Sequence, residues 1–94
     1  MDSITIQLTK PITHGEGDKA VTYKELTFRE AVLGDLIAGE AVAGGSETGR
    51  VAATLAAMAD VPYPVFKKMS ARDFVRINEA TAGLVGNGEA DGTN

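Results

Sequence analysis

Two strand-like patterns open the chain. Residues 4–8, Ile-Thr-Ile-Gln-Leu, alternate apolar and polar side chains, which places the apolar ones on one face of a β-strand. Pro11 is expected to end this strand, because proline has no N–H to donate to a strand ladder. A Gly-containing turn follows at 13–19, and a second strand pattern covers about 21–28. Together the patterns predict an antiparallel β-hairpin.

The second strand pattern changes register part-way along. Val21 and Tyr23 fall on one face of the strand, whereas Leu26 and Phe28 fall on the other. An extra residue in this strand would turn both pairs toward the core. The pattern therefore predicts a β-bulge near residues 24–25.

Helical spacing begins where the second strand pattern ends. Thr27 and Glu30 have the spacing of a capping box, which predicts that the first helix starts at Thr27 and covers about 28–42. The apolar positions expected to face inward have the spacing i, i+1, i+4, i+5. These positions are Val32, Leu33, Leu36 and Ile37. Gly44 and Gly45 are suited to a left-handed cap that ends the helix.

Two further helices are predicted. Ser46 is expected to cap the second, over about 47–59, and Ser70 the third, over about 71–85. Between them, Pro64 is expected to open a short helical turn. The predicted inward positions are Val51, Leu55, Met58 and Ala59 in the second helix and Phe74, Ile77, Ala80, Thr81 and Leu84 in the third.

The predicted fold class is α+β, with the hairpin followed by three α-helices. One domain is expected over residues 1–85. Residues 86–94 contain three Gly, two acidic residues and no apolar side chain larger than Ala, which is typical of a flexible, disordered tail. A chain of 94 residues buries a limited share of its surface, so a partner or a second copy would add stability.

The residue types argue against several kinds of chemistry. The chain has no Cys and a single His, His14, in the predicted turn, which is too few for a zinc site. The Gly-rich segment 44–51 lacks the Lys and the hydroxyl of a phosphate-binding loop, since Arg50 and Val51 stand there. The sequence therefore predicts no catalytic, cofactor-binding or metal-binding residue, and no cofactor.

Charge and hydropathy narrow the choice of partner. A net charge of −4 disfavours nucleic acid, because phosphate attraction needs a basic face. No apolar run has the length of a membrane span, and the N-terminus lacks the pattern of a signal peptide. The chain is predicted to be soluble and to bind other proteins.

Two helix faces leave a structural and a functional interpretation open. Lys68, Arg72 and Arg76 recur every four residues, either as a solvated face or as a site for an acidic partner. Small residues form a second stripe on the first helix, namely Ala31, Gly34, Ala38 and Ala41. This stripe either packs on the second helix or forms a groove for a partner helix. For the second case, the residues predicted to bind the partner are Ala31, Gly34 and Ala38.

The order of these segments resembles a known family. The Ile-Thr-Ile-Gln-Leu strand, the Leu-Thr-Phe-Arg-Glu junction, Gly34-Asp35-Leu36 and the Pro-rich break before Ser70-Ala71-Arg72-Asp73-Phe74 are similar to the small tail assembly chaperones of contractile-tailed bacteriophages and prophages. The similarity covers about residues 4–84 and is most specific over 26–36. The family often has Pro-Thr after the Arg-Glu pair, where this chain has Ala31-Val32.

The resemblance implies a non-enzymatic role in virion morphogenesis. Members of the family bind the long, largely helical tape measure protein, keep it soluble and help to recruit tail tube subunits. A longer form made by ribosomal frameshifting is common in the family and would be a further partner. The resemblance places the chain in the cytoplasm of the bacterial host and outside the mature virion.

Two other functions stay open at the level of sequence. One is a structural virion protein, such as a minor tail or head–tail joining component, which would be retained in the particle. The other is a small enzyme or a regulatory nucleic-acid binder, which the missing catalytic set and the acidic charge argue against.

Overall fold

A β-hairpin followed by four helices makes up residues 3–43 and 46–85, the parts of the chain that the computed structural model describes. The strands are β1 (Ser3–His14) and β2 (Val21–Arg29), joined by a 3-10 turn at Gly17–Lys19. The helices are α1 (Leu33–Ala43), α2 (Glu47–Met58), α3 (Tyr63–Lys67) and α4 (Ala71–Val85). The predictions of a Gly44–Gly45 cap and of a flexible tail at 86–94 lie outside the described residues.

The predicted order of hairpin and helices is confirmed, but the helix count differs by one. The short turn expected at Pro64 is a helix of its own, α3, with Pro62 at its N-cap and Pro64 in its first turn. Proline suits both positions because its fixed φ is helical and the first N–H groups of a helix have no partner inside it. The predicted cap at Ser46 is confirmed, since its Oγ accepts the Gly49 N–H at 3.0 Å.

The hairpin carries its irregularity on β1, whereas the sequence pattern placed it on β2. Gln7 pairs with Glu25, and the next pair is Ile12 with Tyr23, so residues 8–11 lie opposite Lys24 alone. Pro11 lies inside this segment, where no ladder N–H is required, and β1 continues through it to His14. The expectation that Pro11 ends the strand is therefore wrong.

A buried carboxylate binds the backbone of this bulged segment. Asp73 in the first turn of α4 is fully buried and accepts the N–H groups of Thr9 (3.0 Å) and Lys10 (3.3 Å), together with the Thr9 hydroxyl. Arg76 donates to the other oxygen at 2.8 Å. Burial by itself raises the pKa of Asp73, but these hydrogen bonds outweigh it and hold that pKa below its ordinary value. The Asp73 N–H in turn donates to Ser70 Oγ, which confirms the predicted cap of α4.

The core lies between the inner face of the hairpin and helices α2, α3 and α4. Phe66 of α3 is at its centre and makes edge-to-face contacts with Phe28 and Phe74, at centroid distances of 6.3 and 6.5 Å. The inward positions predicted for α2 are confirmed, with Val51 and Ala59 partly buried. Outside α1, two expectations fail, because Val21 and Ala80 are exposed. The buried apolar side chains are Ile6, Leu8, Ile12, Leu26, Phe28, Ala53, Leu55, Ala56, Met58, Val65, Phe66, Ile77 and Leu84.

The first helix begins at Leu33, five residues later than the Thr27 capping box predicts. Thr27 belongs to β2, and its Oγ1 hydrogen-bonds Thr5 Oγ1 across the hairpin at 2.8 Å. At the true start of α1, the Asp35 carboxylate reaches back to the Val32 N–H at 2.8 Å. This is the reciprocal half of a capping box, with aspartate in the place of glutamate.

Candidate partner-binding surface

Large apolar side chains face solvent along α1. Leu33 is 69% exposed, Ile37 59% and Leu36 42%. With Glu40, they have the i, i+3, i+4, i+7 spacing of one helix face. We call these four residues the α1 surface. Of the seven large exposed apolar residues among the described ones, five lie at positions 32–42: Val32, Leu33, Leu36, Ile37 and Val42.

The buried side of α1 carries small side chains. Gly39 is buried against α2, and a Cβ added there would overlap Thr54 Oγ1 and lie 2.7 Å from the Arg50 carbonyl oxygen. Only glycine permits this approach between the two helices. Because Asp35 and Gly39 occupy the buried side, the larger residues of α1 face outward. The expectation that Val32, Leu33, Leu36 and Ile37 face the core is therefore wrong.

Replacing Gly39 by Ala is expected to destabilise the domain by about 1–3 kcal/mol, because α1 and α2 must move apart. Gly34→Ala is the matched control, since nothing lies within 4 Å of its added Cβ. At this exposed helix position alanine is expected to stabilise by about 0.5–1 kcal/mol. Urea denaturation followed by circular dichroism measures both. Equal unfolding midpoints for the two variants would contradict the close helix approach.

A groove runs beside the α1 surface. It has a volume of about 330 Å³ and lies between α1, α2 and α4. Leu36 and Glu40 belong both to the α1 surface and to the lining of the groove, so the two adjoin. The apolar lining of the groove consists of Leu36, Val51, Leu55, Ala82 and Val85, and its polar lining of Glu40, Glu47, Arg50, Thr54 and Asn78.

An ion pair fixes α1 to the end of the hairpin. The Arg29 guanidinium donates to both oxygens of Asp35, at 2.8 and 3.0 Å, and also to the Ala57 carbonyl of α2 at 3.0 Å. Asp35 is 4% exposed. The Arg29 hydrogen bond, together with the Val32 N–H, holds the pKa of Asp35 below its ordinary value in spite of burial. One arginine thus links β2, α1 and α2 and sets the direction of the α1 surface.

The residues predicted to bind a partner do not form one stripe of α1. Ala31 precedes the helix, packs against the core, and donates its N–H to the Leu84 carbonyl at 3.0 Å. Gly34 and Ala38 are exposed on α1, as is Ala41. The alternative that this stripe packs on α2 is therefore wrong, since Gly39 makes that contact. Partner binding by Ala31, Gly34 and Ala38 stays a prediction.

Two of the three side chains of the basic face form hydrogen bonds with other parts of the chain. Lys68 donates to the Thr13 carbonyl at 3.1 Å, and Arg76 binds Asp73 and the Gln7 carbonyl. These contacts favour the structural interpretation of the face over a site for an acidic partner.

The buried side of α1 is marked in the sequence only by residues that normally indicate a solvent-facing side. Asp35 and Gly39 are four residues apart, so they share a side of the helix, and both are small or polar. A side without large apolar residues is normally taken as the solvent side. Here it is the buried one, because Asp35 is paired with Arg29 and Gly39 is in contact with α2.

Residues 3–43 and 46–85 contain no metal-binding cluster and no helix suited to cross a membrane. In these ranges no three His, Cys, Asp or Glu side chains are placed to hold one metal ion. None of the helices described there has both the length and the apolar content to cross a membrane.

The chain is similar to a family of known proteins. The family described as "Phage tail assembly chaperone proteins, E, or 41 or 14" matches residues 5–86, which is most of the chain. No curated protein and no solved structure matches significantly.

Proposed function

The chain belongs to the family of phage tail assembly chaperones, and from this membership we propose that it binds the tape measure protein and assists assembly of the tail tube, without catalysis. It acts in the cytoplasm of the bacterial host and leaves before the virion is complete. Tail tube subunits, and a frameshifted longer form of the chain, are the further partners proposed.

The α1 surface is the observation that supports binding. Exposed apolar patches on a small domain mark sites of interaction. Leu33, Leu36 and Ile37 form such a patch, while the core is completed by other helices. A long helical partner suits this geometry, because an amphipathic helix can lay its apolar side along the patch and into the adjoining groove.

Co-expression with the tape measure protein tests the proposal. The tagged chain is expected to retain the tape measure protein on an affinity column and to increase its soluble fraction. An unrelated acidic protein of similar size, carrying the same tag, is the control. A tape measure protein that stays insoluble and unretained in the presence of the chain would contradict the proposal.

Mass spectrometry of purified virions separates the proposal from its main alternative. A chaperone should be absent from the particle, whereas a minor tail or head–tail joining protein should be present at a fixed ratio to the tail tube protein. Recovery of the chain in that ratio would favour the structural role.

Replacing Gly34 by Leu is expected to abolish retention of the tape measure protein. Gly34 lies three residues before Ile37 and is its neighbour on the helix surface. Nothing lies within 4 Å of a Cβ added at Gly34, so the leucine fits the fold but occupies space that the partner helix needs. Gly83→Leu on α4 is the matched control, since its added Cβ also meets nothing within 4 Å. Equal retention by both variants would show that the partner does not approach Gly34.

A further inference from the structure

Acidic residues are concentrated around the α1 surface. Residues 30–49 contain four acids and no Lys or Arg, whereas residues 64–76 contain four bases and one acid. Of the four acids, Asp35 is neutralised by Arg29. The other three, Glu30, Glu40 and Glu47, form no salt bridge with any described residue.

Two of these free carboxylates line the groove. Glu40 belongs to α1 and Glu47 to the first turn of α2, and both are exposed. Arg50 is the one basic side chain in the lining and has no salt bridge with a described residue. The apolar lining of the groove is therefore bordered by a net negative charge.

We propose that the groove and the α1 surface bind a basic amphipathic helix of the tape measure protein, in which large apolar residues are flanked by Lys or Arg. The inference rests on the proposed function, because it takes the tape measure protein as the occupant. The apolar side chains of that helix contact Leu33, Leu36 and Ile37, and its basic side chains pair with Glu40 and Glu47. Opposite charges at the edge of an apolar contact set the register and speed the encounter.

The chain itself offers no comparable occupant in residues 86–94. These nine residues follow Val85 at the end of the groove, but they include no Lys, no Arg and no apolar side chain larger than Ala. A symmetric contact between the grooves of two copies fits less well, because two identical acidic borders would repel each other.

Charge reversal in the groove tests the inference. The double variant Glu40→Lys, Glu47→Lys is expected to bind the tape measure protein at least tenfold more weakly than the unaltered chain, measured by biolayer interferometry. Glu16→Lys, Asp18→Lys is the matched control. It makes the same change of charge at two exposed positions of the hairpin turn and is expected to bind normally.

Arg50→Gln supplies a result that misfolding cannot mimic. Removing the one basic side chain of the lining is expected to tighten binding about threefold and to steepen its dependence on salt. Unchanged or weaker binding by Arg50→Gln would contradict the inference, as would normal binding by the double reversal.

The outcomes also separate the two proposals. If the unaltered chain does not bind the tape measure protein, the proposed function fails and this inference fails with it. If the unaltered chain binds, and the double reversal and Arg50→Gln each bind as tightly as the unaltered chain, the function stands and the basic helix is excluded. If the double reversal instead changes the mass of the chain alone in analytical ultracentrifugation, the groove is an interface between copies and the inference is wrong.

Discussion

Replacing Asp73 by Ala is expected to lower the free energy of unfolding by about 2–5 kcal/mol. The substitution leaves the part-buried N–H groups of Thr9 and Lys10 without their acceptor, and each such group costs about 1–3 kcal/mol where water cannot replace the carboxylate. Small domains are stable by only about 5–15 kcal/mol in total. The loss is therefore a large fraction of the whole, and urea denaturation followed by circular dichroism measures it.

Two further variants make the Asp73 result specific. Asp18→Ala removes an exposed acid in the hairpin turn and is expected to change stability by less than about 0.5 kcal/mol. Asp73→Asn keeps the shape of the side chain and one acceptor oxygen, so it is expected to fall between Asp73→Ala and the unaltered protein. Equal stability of Asp73→Ala and Asp18→Ala would show that the carboxylate does not hold the bulged segment of β1.

The same contact predicts the response to acid. The pKa of Asp73 is lower in the folded chain than the ordinary value of about 3.9 in the unfolded chain, so the unfolded state takes up the proton first. The stabilisation is complete above about pH 4 and is lost as the pH falls below that value toward the folded pKa. Melting temperatures between pH 7 and pH 2 should therefore fall less steeply for Asp73→Asn than for the unaltered protein. Parallel curves would contradict this origin of acid sensitivity.

The double variant Leu33→Gln, Ile37→Gln is expected to weaken binding of the tape measure protein at least a hundredfold. Full burial of a large aliphatic side chain contributes about 1.5–3 kcal/mol, and each 1.4 kcal/mol is a factor of ten in affinity. Glutamine is close in size, is a good helix former and leaves the net charge unchanged. Biolayer interferometry with the tape measure protein measures the loss.

The matched control makes the same change outside the α1 surface. Val21 on the hairpin and Val75 on α4 are also large exposed apolar residues, at 49% and 52% exposure. Val21→Gln, Val75→Gln is expected to bind normally, and both double variants should unfold within about 0.5 kcal/mol of the unaltered chain. If the control loses binding and the α1 variant does not, the partner binds another face.

Local signals account for the parts of the fold that could be predicted. The caps at Ser46 and Ser70 act within three residues, and the helices that follow them begin where those residues indicate. Thr27 and Glu30 have the same local spacing, yet Thr27 is paired with Thr5 in the hairpin. Pairing across the hairpin joins residues 22 positions apart, and no local pattern reports it.

The sequence predicts partner binding at Ala31, Gly34 and Ala38, and the structure places these residues in different environments. Gly34 and Ala38 are exposed beside the α1 surface, whereas Ala31 packs against the core before the helix begins. The exposed apolar residues of α1 were assigned to the interior instead. That assignment follows from the usual meaning of an apolar stripe, and it fails because an apolar stripe has the same spacing whether it faces the core or solvent.

The order of the elements, most of the core of α2 and α4, and the family can all be predicted from the sequence, because periodicity, caps and segment order are local properties of the chain. The side of α1 that faces solvent is set by contacts between distant segments. That choice depends on the close approach of Gly39 to Thr54 and Arg50 and on the pairing of Arg29 with Asp35. Likewise, the carboxylate of Asp73 accepts a hydrogen bond from the N–H of Thr9, which lies 64 positions earlier in the chain. Such contacts arise from the packing of separate segments, and hydrophobic patterning alone does not encode them.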